Sequence, residues 1–197
     1  MRARFLFWFE RKLLRRGESW LENENWECSK KLESKMGKIV SLSQLIRIRK
    51  RAKRDHRKVV FTNGCFDILH RGHIEYLRKA KSLGELLIVG LNSDSSVKKL
   101  KGSQRPIIPQ EDRAEILASL GLVDHVCIFD EETPQKIICA LIPDVLVKGG
   151  DYKKKNIVGK EVVESHGGEV FTVREVRGKS TIKIIKKIVA RYRRSTI

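Results

Sequence analysis

From residue 58 onward, short apolar runs of strand length alternate with stretches whose apolar residues recur at helical spacing. Residues 58–63, 86–92, 125–129, 145–148 and 169–176 are rich in Val, Ile, Leu and Phe and read as strands. Between them the period changes. A helix is predicted from about 72 to 83, with Gly84 as its C-cap. Pro109 opens a second over QEDRAEILASL, stopped by Gly121. Thr133-Pro134 starts a third that runs to 141. Residues 157–166 form a fourth, capped by Gly167-Gly168. A last helix starts near Ser180 and carries Ile184, Ile185, Ile188 and Val189 on one side. The stretch SDSSVKKLKGSQRPII reads as a loop with a short helical piece. Before residue 58, Ser41 or Ser43 caps a basic helix whose apolar positions are Leu45, Ile46 and Ile48.

Strand and helix in strict alternation predict an α/β protein: a Rossmann-like open parallel five-stranded sheet with helices on both faces. In such sheets ligands sit at the carboxyl ends of the strands. Chemically distinctive residues fall at those ends. They are His70 and His73 after the first strand, Asn92 and Asp94 after the second, Gly149 to Asp151 after the fourth, and Gly178 to Thr181 after the fifth. Residues 36–197 read as one domain, with a core from about 58 to 190. Residues 1–35 read as an extension, either poorly ordered or a basic helix with Phe5, Phe9 and Leu13 on one face. Met36 offers an alternative start.

Composition adjusts this picture only slightly. The 197 residues are 41% hydrophobic and 34% charged, as in a soluble globular protein. No apolar run approaches the ~18 residues that span a bilayer, and the burst FLFWF near the start is too short for a signal sequence. The formal charge of +18 favours an anionic partner: nucleic acid, an acidic membrane surface or a phosphorylated small molecule. Its basic residues gather mainly before 58 and after 183. Cys28, Cys65, Cys127 and Cys139 form no C-x-x-C pair, which points to a reduced, cytoplasmic protein without a zinc site.

The richest chemistry lies in KVVFTNGCFDILHRGH, residues 58–73. A strand runs into a glycine turn and then into a helix start. Backbone N–H groups at a helix N-terminus, with the dipole behind them, face an anion. Gly72, lacking Cβ, allows close approach. The pattern H-x-G-H within GCFDILHRGH resembles the nucleotidyltransferase superfamily known by that motif. The segments NGCFDILH, RPIIP and VLVKGGDY narrow the resemblance to the D-glycero-β-D-manno-heptose 1-phosphate adenylyltransferases, over about residues 36–188. Residues 1–35 lie outside it, as does the sugar kinase domain that some members carry, so heptose phosphorylation is expected from a separate protein.

The resemblance implies an in-line attack by a sugar 1-phosphate oxygen on the α-phosphorus of ATP, with pyrophosphate leaving. It places His70 and His73 on the nucleotide phosphates, with Cys65 and Phe66 lining the turn through backbone N–H groups. Lys99 and Lys101, in a glycine-bounded loop, would meet substrate and triphosphate oxygens, Lys101 being the catalytic one. Asp151 would contact the nucleotide, with Lys148 and Gly149 letting backbone approach it. Gly178, Ser180 and Thr181 would hold phosphate. Arg113 either supports the phosphate site or forms an ion pair. Two positions depart from the cytidylyltransferase pattern G-x-S-T-T and its opening arginine: Ile182 replaces the last Thr, and Glu175 the arginine, with Arg177 nearby. Mg2+ is expected with ATP and held mainly by its phosphates, since no dedicated carboxylate cage is visible. His56, His125 and His166 read as structural.

The sequence admits other readings. Glycerol-3-phosphate cytidylyltransferase and FMN adenylyltransferase share the reaction type. A basic nucleic-acid-binding protein would use the charged ends, and residues 3–16 could touch a membrane surface. A homodimer is an assembly the resemblance allows.

Overall fold

The computed structural model describes residues 36–150, 157–174, 176 and 178–192. Residues 1–35, with their expected extension or membrane-surface helix, lie outside the described residues. In chain order the elements are β1 (Lys38–Ile39), α1 (Leu42–Arg54), β2 (Val59–Gly64), α2 (Arg71–Lys81), β3 (Leu86–Asn92), α3 (Asp94–Lys101), α4 (Gln110–Ala118), β4 (His125–Phe129), α5 (Gln135–Leu141), β5 (Val145–Gly149), α6 (Lys160–Ser165), β6 (Glu169–Val173) and α7 (Thr181–Tyr192).

The strands form one parallel sheet in the order β1-β4-β3-β2-β5-β6. From β2 the chain builds outward through β3 to β4, then crosses back to lay β5 on the other side of β2. The switch point therefore lies between β2 and β5, and the crevice at their carboxyl ends is where a ligand fits. The sheet is covered on both faces, which is why its central strands read as continuous apolar runs. Val59, Phe61, Ile88, Cys127 and Leu146 point into one layer with Leu45, Ile138 and Leu141. Val60, Leu87, Val89, Val126, Val145 and Val147 point into the other with Leu77, Ala114 and Leu117.

Two aspartates tie the strands together at their starts. Asp144 accepts the Val59 amide at 2.7 Å and both terminal nitrogens of Arg49 at 2.7 and 2.8 Å. Asp124 accepts the Leu87 amide at 2.6 Å and the Lys81 amine at 2.5 Å.

The structure corrects the expected five strands to six. The extra one, β1, is two exposed residues beside β4, too short to show any periodicity. Gly84 is not a C-cap. Helix α2 ends at Ser82, and Gly84 is needed because a Cβ there would lie 2.7 Å from the Lys58 carbonyl oxygen and 2.8 Å from Val60 Cγ2. The stretch after β3 is a full helix, capped by the Ser93 hydroxyl on the Ser96 amide at 3.3 Å. Strand β6 ends at Val173 rather than 176, and α6 starts at Lys160 rather than 157. The expected apolar side of α7 finds little cover: none of its residues is buried, and Ile188 and Val189 are 47% and 42% exposed.

Candidate active site

The turn between β2 and α2 is shaped by aromatic rings. Phe66 is buried with a left-handed backbone, φ +42°, a conformation that costs of order 1–3 kcal/mol for a non-glycine residue. Gly64 makes it possible: a Cβ there would lie 3.0 Å from the Phe66 ring. The same ring stands 5.3 Å from the His73 ring. His70 caps α2 through its extended backbone, φ −145° and ψ 168°, and the His73 amide donates to the His70 carbonyl at 2.9 Å. Spacing of three along the first turn puts both side chains on one face. Their rings stack, centroids 3.9 Å apart and 18° from parallel.

Gly72 serves that stack. A Cβ there would come within 3.0 Å of the His70 ring and 3.4 Å of Lys179 Cβ. So Lys179, in the segment leading into α7, lies against the start of α2. Burial, and then the charge of His70, push the His73 imidazole down to about 4. His73 is therefore neutral near pH 7, and its buried Nδ1 has no hydrogen-bond partner among the described residues.

Beneath the turn lies a framework of paired charges. Asp67 is 2% exposed. Its carboxylate accepts the Arg105 guanidinium at 2.5 Å and the amides of Ile107 and Ile108 at 2.9 Å. Burial raises its pKa, but the two amides and Arg105 outweigh this and hold it below the ordinary value. The RPIIP segment is thus anchored on the aspartate of GCFD. Arg113 is 1% exposed and both supports the turn and forms an ion pair. It donates to the carbonyls of Cys65 (2.5 Å), Asn92 (3.0 Å) and Ile108 (2.9 Å), and to Asp94 Oδ1 (2.7 Å). Burial pushes the Cys65 thiol up despite Lys101, Arg113 and Arg105 nearby, so it is a protonated, small turn residue.

Across the switch point, Lys148 near the end of β5 donates to Asn63 Oδ1 near the end of β2. Desolvation lowers its amine to about 8. Gly149 is packed by Tyr76, whose ring would lie 3.3 Å from an added Cβ. The Tyr76 hydroxyl meets Thr62 at 2.5 Å and donates to the Val147 carbonyl at 3.1 Å. Gly150 and Gly178 both have positive φ, +101° and +79°. Ser180 caps α7: its hydroxyl accepts the Lys183 amide at 3.4 Å and its carbonyl the Ile184 amide at 3.2 Å. Asp151, Glu175 and Arg177 lie outside the described residues.

Two expectations change. Lys99 and Lys101 are not in a loop but in the last turn of α3, capped by Gly102. Two helical residues apart means about 200° apart, so they face different sides. Lys101 follows the buried Val97 by one turn and acts on the Cys65 thiol. Both lysines are exposed, and Lys99 lies on the other side of the helix. Asn92, expected to meet nucleotide, is 2% exposed and spends its amide on Ser96 Oγ at 3.0 Å, holding the start of α3. Sequence reasoning gave no role to Asn63, Asp67, Tyr76, Arg105 or Lys179. Asp67 and Arg105 stood inside the motifs already singled out, which was a usable signal. Among the described residues no group of three or more His, Cys, Asp or Glu could hold a metal ion, and no helix is long and apolar enough to cross a membrane.

Residues 61–196 match the family model described as cytidylyltransferase-like. The chain belongs to the cytidylyltransferase-like family. Among relatives of this family member, the "bifunctional protein HldE" of Geotalea uraniireducens is 58% identical over 151 residues, 77% of this chain and 31% of that protein. That of Geobacter sulfurreducens is 54% identical over 155 residues, 79% of this chain and 32% of its own length. The chain thus spans about a third of the length of these curated relatives. Of solved structures, a lipopolysaccharide core biosynthesis protein from Thermoplasma volcanium aligns with TM-score 0.50 and 29% identity, covering 62% of this chain and 99% of that one. Pantoate-beta-alanine ligase from Francisella tularensis aligns with TM-score 0.53 over 80% of this chain and 79% of its own, at 17% identity, a likeness of fold alone.

Proposed function

We propose that this chain transfers AMP from ATP to D-glycero-β-D-manno-heptose 1-phosphate, giving ADP-heptose and pyrophosphate. The observation that carries this reading is the stacked His70–His73 pair on the first turn of α2, at the sheet's switch point. An oxygen of the sugar phosphate, already deprotonated, forms a bond to the α-phosphorus. The bond to the β-phosphate breaks, and pyrophosphate leaves with the electron pair. No proton need move and no residue becomes covalently attached.

The chain's work is therefore positioning and charge stabilisation. The α2 N-terminus offers free amides and its dipole. His73, kept neutral by burial, retains an N–H to donate to phosphate oxygen. Ser180 and Thr181, next in the chain to the Lys179 that lies against Gly72, offer hydroxyls and a second helix start. Mg2+ enters as part of the Mg-ATP substrate and neutralises triphosphate charge. The heptose assignment is supported by NGCFDILH, RPIIP and VLVKGGDY, by the HldE relatives, and by the likeness to the Thermoplasma lipopolysaccharide core biosynthesis protein. Since those relatives are about three times longer, the chain that supplies the sugar phosphate is a separate question from the reaction at this site.

The test is incubation with Mg-ATP and heptose 1-phosphate, reading ADP-sugar and pyrophosphate. The same assay with CTP and glycerol 3-phosphate, or ATP and FMN, separates the substrate alternatives. No product at saturating heptose 1-phosphate, with turnover of another pair, would replace the heptose reading.

A further inference from the structure

Lysines and arginines that are not fully exposed form a small set among the described residues, and almost all hold a carboxylate. Arg49 pairs with Asp144, Lys81 with Asp124, Arg105 with Asp67, Arg113 with Asp94 and Lys160 with Glu164. Lys148 is the exception. It is half-buried, and its partner among the described residues is the neutral amide oxygen of Asn63. A cation drawn out of water without a counter-charge is costly. Among the described residues every comparable cation has a carboxylate partner and this one has none.

Its place gives the exception meaning. Register pairs Thr62 with Val147 across β2 and β5, so Asn63 and Lys148 follow side by side at the mouth of the switch-point crevice. Gly149 and Gly150 come next and add no side chains of their own to that rim. Among the described residues, the strand neighbours of Lys148 are uncharged. Asn63 comes from β2, and Thr172 is the register partner on β6. Tyr76 of α2 bonds the Val147 carbonyl and packs on Gly149, so it covers the opposite face of β5, because neighbouring strand residues point to opposite sides.

We propose that Lys148 is a phosphate-binding cation of this crevice, resting on Asn63 until an anionic phosphate oxygen takes its place. The inference builds on the nucleotidyl-transfer reading and adds a residue to it. The oxygen belongs either to ATP or to the sugar 1-phosphate, and the amine binds it in the protonated form. A bound dianion then favours that form further, so the amine stays charged to higher pH in the complex than in the free protein.

The experiment compares wild type with Lys148→Met and Lys148→Arg, varying Mg-ATP and heptose 1-phosphate in turn. Lys148→Met should fold with an unchanged melting temperature and lose roughly 10- to 100-fold in kcat/KM. Lys148→Arg should recover part of that loss. A rise in KM for ATP assigns the contact to the nucleotide, and a rise in KM for the sugar phosphate assigns it to the acceptor. Wild-type kcat/KM should fall above pH 8, and Lys148→Met should lack that limb. Unchanged kcat/KM for both substrates, with the alkaline limb intact, overturns the proposal. If wild type turns over no heptose 1-phosphate, the substrate reading has failed on its own. Lys148 is then judged by titration with Mg-ATP and with pyrophosphate, where weaker binding by Lys148→Met supports the proposal. Equal affinity in both proteins, or none in either, overturns it.

Discussion

The two flanks of β2 are built on opposite plans. On the β3 side the charges cancel: Arg113 meets Asp94 and three carbonyls, and Arg105 meets Asp67. On the β5 side Lys148 meets only an amide oxygen among the described residues, two glycines follow, and α7 has no buried residue. The first flank is a frame whose polar groups are already satisfied. The second keeps charge and hydrogen-bonding capacity in reserve. A site that binds a polyanion needs both, because an unsupported turn would not hold its amides in place and a fully satisfied one would have nothing to offer.

The sharpest way to break this contrast is to exchange the two cations in turn. Arg113→Met should lose about 3–5 kcal/mol of stability, since it removes a buried cation's bonds to three carbonyls and to the partly exposed Asp94 carboxylate. Urea denaturation measures it. Lys148→Met should lose essentially none. Similar losses for both would erase the distinction between frame and reserve.

Next comes the histidine stack. His73→Ala should lower kcat/KM about 10²- to 10⁴-fold while circular dichroism stays native. His73 also makes a pH-dependent contribution whose sign is fixed. Its folded value of about 4 lies below the unfolded one near 6.5. That contribution is fully present above the unfolded value and is lost as pH falls from there through about 4. Melting curves of His73→Phe should therefore decline less steeply over that range than wild type. An identical acid limb would mean that the buried imidazole is not the group being titrated.

Smaller effects separate residues within one element. Lys101→Ala should cost about tenfold in kcat/KM and Lys99→Ala less than twofold, because only Lys101 shares the side of α3 that acts on Cys65. Equal losses would mean that general charge, not placement, draws the substrate. Least of all, Ile188→Ser should change stability by less than about 0.5 kcal/mol, consistent with its 47% exposure.

Much of this was legible in the sequence, for reasons that differ by element. β2 to β5 could be read because burial on both faces leaves uninterrupted apolar runs. β1 could not, since Lys38 and Ile39 are exposed and pair only through their backbone. The H-x-G-H spacing placed two histidines on one helical turn; the stacking of their rings depends on Gly72 and Phe66 and is invisible locally. Arg113 reads as a surface charge by its type. It is buried because its acceptors, Cys65 and Asn92, lie 48 and 21 positions away, beyond any local pattern. Serines and glycine around Lys99 and Lys101 read locally as a loop. Ser93, a sound N-cap, was the signal for the helix that carries them.

The scant cover of α7 carries a consequence for how the molecule breathes. Helices with little apolar contact open locally at low free energy, and their amides exchange with solvent first. The segment that leads into α7 also sets Lys179 against Gly72. A phosphate gripped there would fasten the helix from its first turn, so slowed deuterium uptake along residues 181–192 would report when the crevice is filled.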